Sequence, residues 1–545
     1  MNNQIIFDTS RMSIGKDGGI NNFYWPLAKS EAESFRNKLL AGFAEVSRLK
    51  GDDLDLERDL FSTINQLMVR EALALFQVYV LIRRSKASGL ETLWPVNSDY
   101  FSNINKGSTP QIKDSINVKT LMKGPSCHTA WKRPLVKLRR DIKFNGISWG
   151  SLRRTNAKKD IVACHITQVM EEHARVASDT IKYTLFGEWF TALNDKLINE
   201  YSPKPLDSSI CENVMTVFTN AFSIGGEALP QNIYDYFHDV LIECSKLARI
   251  HLDKVLEKPE ILPKRLWTGT GGYIWCRILR HAVRRVGGEV TGHEHGTGEG
   301  IIKYFNTKTF TDYESANNFV TFNSNQCRWL KEILDEQYLI PIEKPNICIP
   351  EYKSGTVKYA GSQLITKKTD NPGNGKIKKI MYVASIYTGD KPRPFHHNAD
   401  IVIVDWQIRL LSHLKQWGYQ VLFKAHPEGE QRPPPIFFDE LGAESIPGRF
   451  EEVWNQADLF MFDWKSTTAF STAMKTDTPT MLIDFGFEEF MPEVKALVKK
   501  RCMLIEGNID SNNRLQIDWD DMKNNLSNPK TGDNREFLEA AFRFK

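Results

Sequence analysis

The chain of 545 residues is longer than one ordinary domain and predicts two domains joined by connecting segments. Its hydrophobic content of 41% and charged content of 25% match an ordinary soluble globular protein rather than a disordered one. The formal net charge of +4 argues neither for nor against nucleic acid, and we expect no nucleic-acid partner.

A basic stretch covers residues 131–159, where ten Lys and Arg residues are interspersed with Trp131, Phe144 and Trp149. Such a stretch can bind an anionic surface, such as a membrane leaflet or a polyanionic glycan. It can equally form a solvated basic face. We keep both interpretations, the first predicting a peripheral membrane contact.

The eight cysteines include no CxxC pair, which favours reduced, mostly buried thiols and a cytoplasmic setting. The N-terminus has no basic start followed by an apolar block, so we expect no signal peptide. The apolar run Ala72–Ile82 is too short to span a bilayer and predicts a buried helix or strand. Any contact with the inner face of the cytoplasmic membrane would be peripheral.

Residues 1–340 are predicted to form an acceptor-side α/β domain with a helical N-terminal elaboration. Apolar residues recur at helical spacing over Ser30–Lys50 and Asp55–Arg84, with short strands expected near Leu93 and Val217. From about Leu262 strands and helices alternate, which predicts parallel pairing. The expected strands are 264–268, a strand that follows Gly287-Gly288 and runs through residue 290, and 318–322. The expected helices are 273–286 and about 325 to 334.

Residues 341–376 are rich in Pro, Gly, Lys and Thr and are interpreted as the linker. Residues 377–520 are predicted to form a doubly wound nucleotide-binding domain, and residues 521–545 a C-terminal amphipathic helix. In the domain 377–520 the expected strands are 377–386, 420–424, 458–462 and 479–483, and the expected helices are 401–417, 450–456 and 466–475.

Two segments of this second domain follow strands, where open α/β sheets bind ligands. The first contains Lys424, His426 and Pro427, in which the proline stiffens a turn and the imidazole can donate to a phosphate oxygen. The second runs from Asp463 to Thr468 into a helix, whose free N–H groups and hydroxyls form an anion site. Each segment alone is typical of an ordinary turn or helix N-cap, but the two together favour a phosphate site.

His426-Pro427 followed by Ser466-Thr467-Thr468 resembles the HP and SS/ST motif pair of GT-B enzymes that use cytidine-activated donors. These include bacterial sialyltransferases, Kdo transferases and teichoic-acid glycerophosphotransferases. The resemblance covers residues 377 to 505 and implies two Rossmann-like domains facing a cleft. It also implies that the two motifs hold the donor phosphate. The residues interpreted as donor-binding are Lys424, His426, Pro427, Lys465, Ser466, Thr467, Thr468 and Arg393.

In the N-terminal half, residues 291–300 follow a strand and contain His295-Gly296-Thr297, which resembles the HG-containing loop of the teichoic-acid polymerases. In that group the histidine sits at the reaction centre. The polymerases continue the loop with Pro-Leu-Lys, whereas here it reads Gly298-Glu299-Gly300, which favours a sugar transferase.

Sugar transfer needs a base for the acceptor hydroxyl or a carboxylate nucleophile. His295 with a near-neutral pKa is one candidate base, and carboxylates are others, although Glu294 is also explained as a residue that orients a histidine. The residues predicted to act in catalysis are His295, Glu294, Glu299 and Glu227.

No metal is expected, because His293 and His295 lack a third ligand at an orthodox spacing. No cofactor is expected beyond the nucleotide-sugar co-substrate. The sequence has no GxxxxGK[ST], and Thr268–Gly272 lacks a full GxGxxG, so P-loop and NAD binding are unsupported.

The expected function is metal-independent transfer of a sugar, best guessed as Kdo or a sialic-acid-like acid, from a CMP-activated donor. The expected acceptor is a bacterial surface polysaccharide or a lipid-linked precursor. A CDP-glycerol-type glycerophosphotransferase and a non-catalytic GT-B-like glycan- or nucleotide-binding protein remain the alternatives.

Overall fold

The structure is a computed structural model of the whole chain that combines two parallel β-sheets with a layer of helices. It describes residues 4–6, 11–50, 54–93, 103–125, 161–176, 181–223, 226, 228–295, 301–303, 308–336, 344–350, 358–359, 377–387, 399–427, 429, 432–530, 535–541 and 543–544.

A layer of helices flanks the first sheet; three of its helices precede the sheet in the chain, and three lie between the second and third strands of the sheet along the chain. The short strand pair β1 (Gln4–Ile6) and β2 (Glu91–Leu93) accompanies this layer. Its core includes Phe35 stacked on Phe76 at 4.1 Å between ring centroids, with Phe222 edge-on to both. No helix among the described residues is long and apolar enough to cross a membrane. The α-helices of this layer are Lys29–Ser47, Asp55–Ala87, Ile116–Lys123, Asp195–Tyr201, Ser208–Phe222 and Gln231–Leu256.

The first sheet has six parallel strands in the order β4-β3-β5-β6-β7-β8. Its strands are β3 (Ile161–Cys164), β4 (Ile181–Tyr183), β5 (Arg265–Thr268), β6 (Glu289–His293), β7 (Asn318–Val320) and β8 (Asn346–Cys348). Between them lie the helices Gln168–Val176, Ile274–Arg285 and Ser324–Glu336, together with a π-helical turn at Thr309–Tyr313. Numbered from β3, the order is 2-1-3-4-5-6, a doubly wound arrangement.

The segment predicted to be the linker begins later than expected, because Asn346–Cys348 is the last strand of the first sheet. A further short strand, β9 (Lys358–Tyr359), is the only other described part of 351–376. The predicted strand near Val217 is wrong, since this residue lies within the helix Ser208–Phe222. The strand near Leu93 and the burial of the run 72–82 are confirmed.

The second sheet has seven strands in the order β12-β11-β10-β13-β14-β15-β16, all parallel except the last pair. Its strands are β10 (Lys379–Val383), β11 (Gln420–Lys424), β12 (Glu444–Ser445), β13 (Leu459–Phe462), β14 (Thr480–Asp484), β15 (Met503–Ile509) and β16 (Leu515–Ile517). Strands such as β13 are buried at every position, as expected for a parallel sheet covered on both faces. Numbered from β10, the order 3-2-1-4-5-6-7 contains the Rossmann order.

Helices cover both faces of the second sheet. Three of them were predicted from the sequence, and the bounds of two of these lie close to the prediction, whereas the helices Ile436–Asp439, Pro492–Arg501 and Trp519–Ser527 were not predicted. The helix after β13 is the exception, because it begins at Thr468 rather than Ser466 and ends at Ala473. The α-helices are Asp400–Gln416, Ile436–Asp439, Phe450–Val453, Thr468–Ala473, Pro492–Arg501 and Trp519–Ser527. The expected α/β fold with two Rossmann-like domains is therefore confirmed.

Segments near both chain ends cross between the domains. The N–H of Ile20 donates to Asp405 Oδ1 at 2.9 Å, which fixes residues near the N-terminus on the second domain. The helix Arg535–Ala541 packs on the first domain, where Gln326 Nε2 donates to the carbonyl of Ala541 at 2.9 Å. Its apolar residues Phe537 and Leu538 are buried, as the amphipathic pattern predicts. The single helix predicted over 521–545 is wrong, because this part of the chain holds the end of the helix Trp519–Ser527, the separate helix Arg535–Ala541 and a short strand. The strand β17 (Arg543–Phe544) then pairs with β9.

Candidate functional site

The two predicted phosphate-binding segments leave the same edge of the second sheet. Val383, the last residue of β10, is paired with Lys424 on one side and with Phe462 on the other. Because neighbouring strands lie about 4.8 Å apart, the two loops start about 10 Å from each other. The end of β10 lies between them.

This position is also where the connections of the sheet change direction. From β10 the chain passes outward to β11 and β12, then returns to the other side of β10 as β13 and continues to β14. Loops at the carboxyl ends of strands separate at such a point and leave a crevice in which open α/β sheets bind ligands. The topology therefore places both predicted segments at the crevice.

A buried polar network supports the floor of this crevice. Asp463, the first residue after β13, accepts hydrogen bonds from the hydroxyl of Tyr382 and from Trp406 Nε1. Gln407 Nε2 donates to the Tyr382 hydroxyl at 2.8 Å and extends the network to the helix Asp400–Gln416. Burial raises the pKa of Asp463 to about 6, although the hydrogen bonds from Tyr382 and Trp406 act to lower it. The network fixes the backbone from which the second loop begins.

The loop after β11 carries Lys424, His426 and Pro427. The ammonium group of Lys424 is buried and donates to the carbonyl of Ala425 at 3.0 Å, and burial lowers its pKa. His426 is half-buried and Pro427 is exposed, so this loop reaches from the sheet toward the solvent.

The loop after β13 shows that Lys465 has a partner within the protein. Its ammonium group is buried and donates to both carboxylate oxygens of Asp484, at 2.8 and 2.9 Å. It also lies 4.5 Å from the ring centre of Phe490. The positive charge expected to face a ligand is thus balanced by Asp484, which stands at the end of β14.

Ser466, Thr467 and Thr468 lie at the start of the short helix Thr468–Ala473. Thr467 is the N-cap, and its hydroxyl accepts from the N–H of Phe470 at 3.0 Å. The hydroxyl of Ser466 donates to Glu488 Oε1 at 2.7 Å, and Thr468 is exposed. Hydroxyls and first-turn N–H groups are therefore gathered at the crevice, as expected for an anion-binding helix start.

The facing edge of the first sheet is built around a glycine loop after β5. The N–H of Gly271 donates to Asp312 Oδ1 at 2.7 Å, and a Cβ at this glycine would overlap the carbonyl oxygen of Thr311. The guanidinium of Arg280, fully buried, donates to the hydroxyl of Thr268 at 3.0 and 2.6 Å. Asp312 also accepts from Lys308 Nζ at 3.3 Å. The carboxyl ends of the strands are thereby held in one arrangement.

His295 lies two residues after β6 and keeps part of its surface exposed at this edge. The protein packed around its ring disfavours the charged imidazolium, and Lys308 adds to the effect, so its pKa falls to about 3. The direction of this shift does not favour the near-neutral pKa expected from the sequence. A neutral imidazole of this kind is a weak base at neutral pH, but its N–H remains a hydrogen-bond donor.

The residues directly before His295, 291–294, are inside the protein. Glu294 is fully buried, and its backbone N–H donates to the carbonyl of Val320. His293 contacts His173, with 3.0 Å between their ring nitrogens, and contacts the carbonyl of Thr268 through its other nitrogen at 3.3 Å. Burial lowers the pKa of both histidines, that of His173 to about 4. They form a neutral pair behind the sheet edge.

The two edges face and contact each other. Ile302 forms a β-bridge with Phe490, the N–H of Lys303 donates to the carbonyl of Glu489 at 2.6 Å, and that of Met491 donates to Ile301 at 3.0 Å. The segment that follows the His295 loop is thus joined to the loop that follows β14. This contact brings the carboxyl ends of both sheets to one inter-domain cleft.

Several predicted residues lie outside the described residues. They are Glu227, Glu299, Arg393 and the basic stretch 131–159. Among the described residues, no group of three or more His, Cys, Asp or Glu side chains is arranged to hold a metal ion.

Three charged residues of the cleft were missed by the sequence analysis. Lys308 and Asp312 form an i,i+4 pair whose spacing is visible in the sequence, but nothing there shows that it is buried. Glu488 follows β14 by four residues and lies beside Ser466. Its position after a strand was the available signal, since loops at carboxyl strand ends carry ligand-binding residues.

No protein-family model matches the chain, and no curated protein matches it. Two solved structures are similar to parts of it. UGT89C1 of Arabidopsis thaliana has 9% sequence identity over 71% of this chain and 90% of its own, with a TM-score of 0.30. The glycosyltransferase SsfS6 of Streptomyces sp. SF2575, solved with thymidine diphosphate, has 11% identity over 63% and 79%, with a TM-score of 0.23. At these scores the likeness carries no argument of its own, and the class rests on the topology: an α/β protein with two Rossmann-like domains across a cleft, of GT-B-like architecture.

Proposed function

We propose that this chain is a nucleotide-sugar-dependent glycosyltransferase with its donor in the second domain. The observation that carries the proposal is the position of the His426 and Ser466 loops on either side of β10, at the carboxyl edge where the strand order reverses. This is the place where Rossmann-type sheets hold a nucleotide phosphate. The motif pair found in the sequence supports a cytidine-activated donor.

In this proposal the phosphate lies between the two loops. The hydroxyls of Thr467 and Thr468, the N–H groups of this loop and the imidazole of His426 meet its negative charge, in the way that preorganised donors stabilise a leaving group. The hydroxyl of Ser466 instead donates to Glu488. Lys465 contributes by fixing the loop through Asp484 rather than by touching the phosphate. The leaving nucleotide is thus stabilised by hydrogen bonds.

The first domain supplies the acceptor side. The His295 loop stands across the cleft, joined to the donor side through Ile302 and Phe490. His295, being neutral, acts as a hydrogen-bond donor to the sugar or the acceptor. We propose an acidic sugar of the Kdo or sialic-acid kind as the group transferred, and a bacterial surface polysaccharide or lipid-linked precursor as the acceptor.

The test is release of nucleotide from a panel of donors: CMP-Kdo, CMP-sialic acid, CDP-glycerol and UDP-sugars. We expect release from a CMP-sugar, with transfer to water when no acceptor is present. Release from CDP-glycerol alone would establish a glycerophosphotransferase instead. No release from any donor, together with no binding of CMP, would show a non-catalytic protein and contradict the proposal.

A further inference from the structure

A buried carboxyl group lies between the donor loops and the first domain. Glu488 belongs to the loop that follows β14 and is 9% exposed. Its Oε1 accepts the hydroxyl of Ser466 at 2.7 Å, which fixes the orientation of the carboxyl group. Its Oε2 is buried and has no hydrogen-bond partner among the described residues.

An unpaired buried carboxyl oxygen is expensive. Such an atom has lost its hydrogen bonds to water without gaining one in the protein, and the loss is greater when the group is charged. Buried polar atoms that lack a partner in a folded protein therefore call for an explanation, and a ligand that supplies the missing hydrogen bond is one. A carboxylate oxygen accepts hydrogen bonds, and Glu488 lies beside Ser466 of the proposed donor site. A substrate hydroxyl next to the bound nucleotide sugar is therefore a suitable ligand for Oε2.

The charges around Glu488 come from four sides. Lys465 and Asp484 face it from the neighbouring strand ends, Lys308 from the first domain, and Arg36 from the helix Lys29–Ser47. Lys465 is already paired with Asp484, and Lys308 with Asp312. Burial therefore dominates and raises the pKa of Glu488 to about 7. A base of this strength is matched to proton transfer at neutral pH.

We propose that Glu488 is the general base of the transfer reaction and that its free oxygen takes the proton of the acceptor hydroxyl. This inference rests on the proposed function. The acceptor oxygen forms its bond to the anomeric carbon of the sugar as its proton moves to Glu488 Oε2. The bond from that carbon to the phosphate oxygen breaks, and its electron pair leaves on the nucleotide phosphate held by the Ser466 and His426 loops.

The experiment compares wild-type protein, Glu488→Gln and Glu489→Gln. Glu489 is the exposed neighbour, and its backbone carbonyl, which the substitution keeps, accepts from the N–H of Lys303, so Glu489→Gln is the matched control. The substrate is whichever donor of the panel the wild-type protein hydrolyses fastest. The readouts are kcat/KM for nucleotide release between pH 5.5 and 9, the affinity for CMP, and the melting temperature.

We expect Glu488→Gln to lower kcat/KM by about 100-fold or more at pH 8, the usual contribution of a general base. The wild-type profile should rise through an apparent pKa of about 7, and this limb should be absent in Glu488→Gln. Affinity for CMP should stay within threefold, or about 0.6 kcal/mol. Glu489→Gln should match the wild type throughout.

A folded Glu488→Gln protein that keeps its rate and its pH profile would overturn the inference and leave the proposed function intact. If the amide variant fails to fold, Glu488→Asp replaces it and should retain the acid limb at a reduced rate. A wild-type profile without a limb between pH 6 and 8 would overturn the inference without any variant. A wild-type protein that releases no nucleotide would instead remove the proposed function, and the general base with it.

Discussion

Replacing Asp312 by Asn should destabilise the first domain strongly. The carboxylate is 1% exposed and accepts from Gly271 N–H, from the Thr311 hydroxyl at 2.9 Å and from Lys308 at 3.3 Å. Burial by itself would raise its pKa, but Lys308, Arg280, His295 and the Gly271 N–H together outweigh this and hold the pKa below its ordinary value. The amide oxygen of Asn can still accept from the Gly271 N–H. Its NH₂ group, however, would face the Thr311 hydroxyl and the Lys308 ammonium, both of which donate to the carboxylate in the native protein. Breaking a buried pair in this way costs about 3–5 kcal/mol.

The matched control is Asp335→Asn in the same domain. Asp335 pairs with Lys344 at 2.9 Å, but the two side chains are 78% and 48% exposed. Exposed pairs contribute at most about 1 kcal/mol. Urea unfolding followed by tryptophan fluorescence should therefore show a large shift of the midpoint for Asp312→Asn and almost none for Asp335→Asn. Equal, small shifts would refute the structural role given to Asp312.

Two further predictions concern the stability of the first domain. Gly271→Ala should prevent the native arrangement of the loop after β5, because its Cβ would overlap the Thr311 carbonyl. The control Gly272→Ala should fold, because among the described residues its Cβ would meet the Thr270 hydroxyl at 3.2 Å. Equal melting temperatures of the two variants would contradict this prediction. Burial lowers the pKa of His251 to about 4 in the folded protein, so the unfolded chain binds the proton first as the pH falls. The free energy of unfolding should therefore decrease between about pH 6.5 and 4, and His251→Gln should reduce that slope in urea titrations at several pH values.

The four central strands of the second sheet, β10, β11, β13 and β14, could be predicted from the sequence, because they are largely buried and appear as continuous apolar runs. The strand Gln420–Lys424 was predicted with its bounds intact, and the strand before Asp463 within one residue. Three strands of this sheet, β12, β15 and β16, were not predicted, nor were β3, β4 and β8 of the first sheet. β3 and β4 are short and lie beside residues 126–160 and 177–180, which the structure does not describe. Strands this short have too few positions for a period to be recognised.

The site could be predicted only where residues follow strands directly. His426 and Ser466 were found because they belong to loops at carboxyl strand ends, and the topology brings both loops to the same crevice. The pairing of Lys465 with Asp484 and the burial of Glu488 depend on contacts between strands and domains that are distant in sequence. The low pKa of His295 likewise arises from the tertiary packing and charges around it. Local patterns carry no information about these contacts.

The most direct test of the donor site is calorimetric titration of CMP into wild-type protein, His426→Ala and His238→Ala. His238 is an exposed histidine on the helix Gln231–Leu256 and serves as the control. A hydrogen bond to a charged phosphate contributes about 1.5–3 kcal/mol, so His426→Ala should weaken binding by about 10- to 100-fold while His238→Ala binds like the wild type. Equal affinity in all three proteins, or no binding by any of them, would contradict a nucleotide phosphate between the two loops that flank β10.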